Sequence, residues 1–327
     1  MADRVSEVDD LVHRADLDGL VRLVDKFCTN ADWPALLELR TSSRAAVTTG
    51  RQLWPAATLA EYRLALWAPA EWATQVLDEE SGRFTIGPLT EVVAERHQFS
   101  DLRSALPDGP RVGFIAHECA LRGQVLPADL SNPLDIPFEL QPWEPQYCLA
   151  EYSDDGLSAP APHLPAVSEF EAMPSEGGDV IDDPEVALAI RQLIEPWITS
   201  SNGHVEIVAV EGSAAAAVAA LGVASGTLAK IAPSQAMAWL AWAGASGGAH
   251  GRRRGAAIGR FGAWWTVAAV ADLDQWPPDP SEIGDALAAL DWYWWDGGEP
   301  RLGWELQLAV ADPAAGYAWA IGAHDAA

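Results

Sequence analysis

The stretch DWYWWDGGEPRLGWELQLAVADPAAGYAWAI, residues 291–321, decides the fold class. Asp291 to Trp295 is an aromatic run of strand length, and Gly297-Gly298 after it is a turn signal. From Trp304 to Ala311 the apolar residues alternate. Trp304, Leu306, Leu308 and Val310 therefore share one face, as the two-residue period of a strand requires. Pro313 to Gly316 turns the chain again, and Tyr317, Trp319 and Ile321 share a face of the last strand. Strands joined by such short turns form an antiparallel meander, so the chain is expected to end in a β-sheet.

Upstream of the meander the pattern is mixed. Pro184 to Ile198 reads as a helix, and His204 to Val210 as a strand carrying Val205, Ile207, Val208 and Val210. Gly212 supplies a turn before an alanine-rich helix, Ser213 to Leu221. Pro233 opens a helix bearing Met237, Trp239, Leu240 and Trp242, and a helix of small residues runs to about Val270. The N-terminal part reads differently. Leu17, Leu20, Val21, Val24 and Phe27 follow helical spacing, and Asp32 is placed as an N-cap with Pro34 in the first turn. Another helix starts near Trp54-Pro55, and Pro69, Pro88 and Pro110 each suit a first turn. Helices so closely connected pack as antiparallel neighbours, although no fixed-period repeat is present.

The expected class is therefore α+β: an all-helical N-terminal array followed by a mixed α/β C-terminal domain ending in an antiparallel β-meander. The expected boundaries are a helical domain at 1–122, a Pro-rich acidic connector at 123–183 and a mixed domain at 184–327. Phe138, Trp143, Tyr147 and Cys148 make the first part of the connector too aromatic to be disordered, and it should pack as extended chain. Asp154 to Asp183 reads as a mobile acidic tether.

The formal net charge is −27 over 327 residues. Such a field repels phosphate backbones and anionic membranes, so neither nucleic acid nor a membrane is expected as a partner, and a basic protein is. No apolar run is long enough to span a bilayer, since Ala256 to Val270 is broken by Gly259, Arg260 and Gly262. The start, Met-Ala-Asp-Arg-Val-Ser-Glu, carries no apolar signal core, and three spaced cysteines (Cys28, Cys119, Cys148) suit a reducing compartment. Cytoplasmic residence with buried, inert thiols follows as the expectation.

Charge is unevenly spread. Between Gly123 and Gly251 stand 17 acids against two bases, Arg191 and Lys230; then Arg252, Arg253, Arg254 and Arg260 arrive together. The segment Gly244-Ala-Ser-Gly-Gly-Ala-His-Gly-Arg-Arg-Arg-Gly-Ala-Ala-Ile-Gly-Arg260 admits two readings. Glycines let backbone approach a ligand, a helix N-terminus adds N–H groups, and arginines offer forked donors, which together would cradle an anion. The candidate ligand-binding residues are Ser246, His250, Arg252, Arg253, Arg254 and Arg260, with the neighbouring Trp264 and Trp265. In the other reading the glycines and alanines permit close helix packing, and the arginines neutralise upstream acids. The charge imbalance favours this second reading.

Known chemistries are poorly represented. Gly244-Ala-Ser246-Gly-Gly248 matches G-x-S-x-G, with His250, His324 and Asp325 downstream, but helix rather than strand is expected before it. Val205 to Gly212 resembles a Rossmann first turn without its later glycines, and no P-loop occurs. His117-Glu118 lacks the second histidine of a zinc-protease motif. No catalytic residue, metal ligand or cofactor is assigned. Most of the 16 tryptophans, including Trp292, Trp294 and Trp295, are expected in the core.

Several blocks resemble those of an uncharacterised family of bacterial hypothetical proteins: Gly87-Pro-Leu-Thr-Glu-Val92, Gln141-Pro-Trp-Glu-Pro145, Ser246 to Gly255 with Trp264-Trp265, and Gly303-Trp304. The resemblance spans about 33 to 325 and implies no activity. The leading expectation is a non-enzymatic protein-interaction or regulatory protein with an acidic surface. The alternative is a small-anion or nucleotide-binding module, with catalysis left open, using residues 244–260.

Overall fold

In the computed structural model, the structure describes residues 2–78, 84–300 and 303–326, with side chains from residue 7 onward. The chain forms two compact units. One comprises Met1–Pro133 with Ala150–Ser158, the other Leu134–Leu149 with Ala159–Ala327. The stretch read as a single connector thus divides between the two.

The first unit is helical: α1 (Ala2–Arg14), α2 (Leu17–Thr29), α3 (Trp33–Thr48), α4 (Trp54–Trp67), α5 (Ala70–Ala73), α6 (Leu89–Arg96), α7 (Phe99–Ala105) and α8 (Pro110–Leu121). Proline sits in the first turn of α3, α4 and α8, where its missing N–H costs nothing. Asp32 occupies the N-cap position of α3 without a side-chain capping bond. Leu20, Val24, Phe27, Leu36, Leu39 and Leu64 are core. A short hairpin, β1 (Glu151–Ser153) and β2 (Gly156–Ser158), delivers Tyr152 into this unit, where its hydroxyl donates to buried Glu91 at 2.6 Å.

The second unit is built on a seven-stranded antiparallel sheet. Its strands are β3 (Glu171–Ala172), β4 (Asp179–Ile181), β5 (His204–Glu211), β6 (Thr227–Ile231), β7 (Asp291–Asp296), β8 (Trp304–Asp312) and β9 (Tyr317–Asp325). The order across the sheet is β3-β6-β7-β8-β9-β5-β4. The expected α+β architecture is what folds, and β7, β8 and β9 are the expected meander. Its registers pair Trp292 with Val310 and Val310 with Trp319, so these side chains share a face.

The helices of this unit are α9 (Pro184–Leu193), α10 (Glu195–Thr199), α11 (Ala214–Ala220), α12 (Pro233–Ala245), α13 (Ala256–Val270) and α14 (Pro280–Ala289). The aromatic face of the sheet receives α12, where Trp239 stacks on Trp294 with ring centroids 4.4 Å apart. The opposite face carries α11, whose alanines pack on Val210, Trp295, Ala309, Ala318 and Ala320. Alanine keeps this short helix close to the sheet.

One difference from the sequence reading concerns residues 154–183. Where a mobile tether was expected, β3 and β4 are the two outermost strands of the sheet. Between them, residues 173–178 form a strap past the start of α11, with Met173 packed against the α11 cluster. Strands of two and three residues have no period to read.

Candidate functional site

The basic glycine-rich segment links α12 to α13, and most of its positive charge is directed inward. Arg260 is fully buried on α13. Its guanidinium grips Glu144 through two charge-assisted bonds, Nε to Oε2 at 2.7 Å and Nη2 to Oε1 at 2.6 Å. Nη1 donates to Pro137 O at 2.6 Å and Nη2 to Glu139 O at 3.2 Å. Glu144 is equally buried and also accepts from Gln141 N, the Tyr147 hydroxyl and Trp264 Nε1. Burial alone would raise the Glu144 carboxyl, but the Arg260 hydrogen bonds and charge override it and hold the group below its ordinary value. Burial and the adjacent Glu144 carboxylate push the Tyr147 phenol well above its ordinary value. Trp143 completes this node: its ring lies 5.0 Å from that of Trp264, and its Nε1 donates to Pro280 O at 2.9 Å. The Gln141–Pro145 block is therefore the receptor for Arg260 and Trp264.

Arg254 acts on helix ends. Nε donates to Gly244 O at 2.9 Å, Nη1 to Gln192 O at 3.2 Å, and Nη2 to Leu193 O. These carbonyls lie in the last turns of α12 and α9, which otherwise lack partners and carry negative partial charge. Burial lowers the Arg254 pKa, with Glu195 working against the shift. Arg253 is also buried, whereas the Arg252 side chain is exposed.

The glycines serve packing. A Cβ on Gly259 would lie 2.1 Å from Ala241 O, so glycine is what allows α13 to press on α12. At Gly248 (φ +73°), a Cβ would lie 2.0 Å from Asp325 Oδ2, the oxygen that accepts from Ala249 N at 2.6 Å. Ser246 Oγ accepts from Gly248 N at 3.0 Å, and exposed His250 donates its backbone N–H to Ser201 Oγ. This loop is thereby tied to β9 and to the loop before β5. The G-x-S-x-G reading finds no support in this geometry. Ser246 follows the helix α12 rather than a strand, and His324 and Asp325 are adjacent on β9 and project from opposite faces. Trp264 is buried in the Glu144 node, and Trp265 is 37% exposed, edge-on to Trp276 at 4.8 Å.

Other candidate chemistry is equally spoken for. Burial pushes the Cys28 thiol up to about 11 and Cys119 up to about 12, and it also raises Cys148, which disfavours the nucleophilic thiolate in each. His117 is buried with Nε2 at 2.9 Å from Asn132 Oδ1. Among the described residues no group of three or more His, Cys, Asp and Glu is arranged to hold a metal ion.

The acids of the strap and its flanks face the opposite way. Glu169, Glu171, Glu176, Asp179, Asp182 and Glu185 are all exposed. Asp179 stands directly opposite exposed Glu211 in the β4–β5 register, a like-charge pair that costs stability. On the face of the sheet that carries α11, opposite to the one from which Asp179 and Glu211 project, a groove of about 560 Å³ is lined by Glu169, Glu171 and Glu176 with Ser213, Lys230 and Tyr293. Lys230 is held by Asp291 at 2.7 Å, so its charge is already matched. No sequence signal beyond composition marked this surface, because β3 and β4 were not legible as strands.

Among the described residues no helix is long and apolar enough to cross a membrane. No curated protein and no solved structure matches the chain. A family model does, over residues 18–327, and with nearly the whole chain covered this protein belongs to the family of unknown function DUF6183.

Proposed function

We propose that this protein is a non-enzymatic interaction protein that engages a basic protein partner through the acidic strap and its groove. The observation that carries the reading is the mutual repulsion of three exposed groove glutamates, Glu169, Glu171 and Glu176, whose one lysine is already paired. A cationic partner relieves that repulsion, and electrostatic complementarity of this kind sets association rate and specificity. Cytoplasmic residence belongs to the same reading, supported by three free cysteines.

The test is affinity capture from a lysate at rising salt, run beside the charge-reversed variant Glu171→Lys/Glu176→Lys/Asp179→Lys. A basic protein held at low salt, released as salt rises and lost with the variant supports the reading. Capture that is indifferent to both overturns it.

The second reading, an anion site on the Ser246–Arg254 loop, is favoured by one observation, the exposed Arg252 beside exposed His250. Inorganic triphosphate titrated against wild type and Arg252→Ala tests it. Saturable binding lost in the variant supports that reading, and no binding overturns it.

A further inference from the structure

One margin of the seven-stranded sheet is incomplete. β5 pairs with β9 over its whole length, His204–Glu211, but with β4 only from Ala209 to Glu211. β4 stops at Ile181, where the chain leaves the sheet: Asp183 accepts from Trp319 Nε1 at 2.8 Å and Pro184 opens α9. On that side His204 to Val208 has no neighbouring strand among the described residues.

The ladder fixes which main-chain groups are left over. Along an antiparallel pair, residues alternate between facing the partner strand with both N–H and C=O and facing away from it. Gly212 N donates to Gly316 O at 2.9 Å in register with the β5–β9 ladder, so Val210, Val208, Glu206 and His204 turn their main-chain groups to β9. Ala209 and Glu211 turn theirs to β4, opposite Ile181 and Asp179. Val205 and Ile207 turn theirs the same way, beyond the end of β4, where among the described residues no main-chain group bonds to them. An edge with such groups is a template for another extended chain.

The side chains specify that chain. Val208 and Val210 pack in the α11 cluster, so by alternation Glu206 and His204 lie on the α11 side of the sheet and Val205 and Ile207 on the other. Val205 and Ile207 are half-buried, whereas the side chains of His204 and Glu206 are 60% and 56% exposed. An added strand therefore meets an apolar pair on one face and an acid on the other. Exposed Asp182 stands just past the end of β4, and neither 179–183 nor β5 contains a lysine or arginine. A second copy fits poorly, because the two-fold register that matches Val205 with Ile207 sets Glu206 against its own counterpart, a like-charge pair. We propose that residues 204–208 of β5 accept an extended segment of a basic protein as an added antiparallel strand, in which arginine or lysine alternates with apolar residues. The inference goes beyond the strap reading: it rests on main-chain groups and does not use the groove glutamates.

Residue-resolved amide exchange of the full chain by NMR, with calorimetric titration, tests it using capped Arg-Val-Arg-Val-Arg. In the free chain Glu206 and Val208 should exchange slowly and Val205 and Ile207 fast, and the peptide should slow Val205 and Ile207. The same peptide N-methylated on both valines keeps its charge and loses the N–H groups that pair with β5, so it should bind about tenfold or more weakly, one decade of affinity. Capped Glu-Val-Glu-Val-Glu should be weaker by a similar factor. Ile207→Pro, which removes an N–H that bonds to no strand, should abolish binding. Equal binding of the N-methylated peptide, or no slowing at Val205 and Ile207, overturns the proposal; both comparisons use wild type, so they hold even if the variant misfolds. Protection of Val205 and Ile207 in the free chain that rises with protein concentration gives the edge to a second copy and also overturns it. Glu171→Lys/Glu176→Lys should leave the difference between the two valine peptides intact, which separates failure here from failure of the strap reading.

Discussion

The basic segment 252–260 and the acidic strap 169–185 carry opposite charge and meet opposite fates. Arg260 and Arg254 are drawn into the interior, one onto a carboxylate and one onto helix-end carbonyls, while the acids of the strap and its flanks stay in water, half-buried Asp183 excepted. The difference follows from the partners available. A guanidinium with five N–H groups can satisfy several acceptors at once and remain charged, so it can be buried if acceptors converge on it. The strap contains no base, so its acids have nothing to carry inward. In the C-terminal unit Arg260 serves as internal counter-charge to Glu144 and Arg254 closes helix ends, whereas Glu169, Glu171, Glu176, Asp179, Asp182 and Glu185 are exposed.

The comparison breaks most violently at Arg260. Arg260→Met should destabilise the protein by about 3–5 kcal/mol in urea unfolding, because Glu144 would be left buried and unpaired. Adding Glu144→Gln to that variant should recover part of the loss, as the stranded charge is then gone. Arg254→Ala comes next, at about 1.5–3 kcal/mol, since charged hydrogen bonds to three carbonyls disappear. Acid sharpens the picture further. The folded fold holds the Glu144 carboxyl below its unfolded value of about 4.3, so its stabilisation is complete above that pH and is lost as pH falls through the lower folded value. Glu144→Gln should flatten the acid limb of the stability curve while lowering its plateau. At the strap the sign reverses. Asp179→Asn removes the repulsion with Glu211 and should stabilise by roughly 0.2–1 kcal/mol, read as a raised urea midpoint.

Much of the architecture was legible. Prolines marked helix starts, and the alternation of Trp304, Leu306, Leu308 and Val310 marked a strand, because both are local signals. β3, β4 and β6 were not legible: two are too short to show a period, and Thr227–Ile231 interrupts its apolar residues with Lys230. Composition marks the segment 244–260, and the excess of acids upstream points to a counter-charge role. What no local pattern could give was the partner, since Glu144 lies 116 residues before Arg260. A groove lined by His204, Glu206, Glu305, Gln307 and His324 was invisible for the same reason. These residues are spread over β5, β8 and β9, and only register across these three strands brings them together.

Hydrogen–deuterium exchange of the full chain, free and with a deca-arginine peptide or inorganic triphosphate, tests the inward and outward sorting of charge most directly. The account predicts that the peptide slows exchange within 169–185 and in Glu211 at the edge of β5, and that triphosphate leaves 246–260 unchanged. Protection of 246–260 by triphosphate, with no change in the strap on adding the peptide, would contradict it.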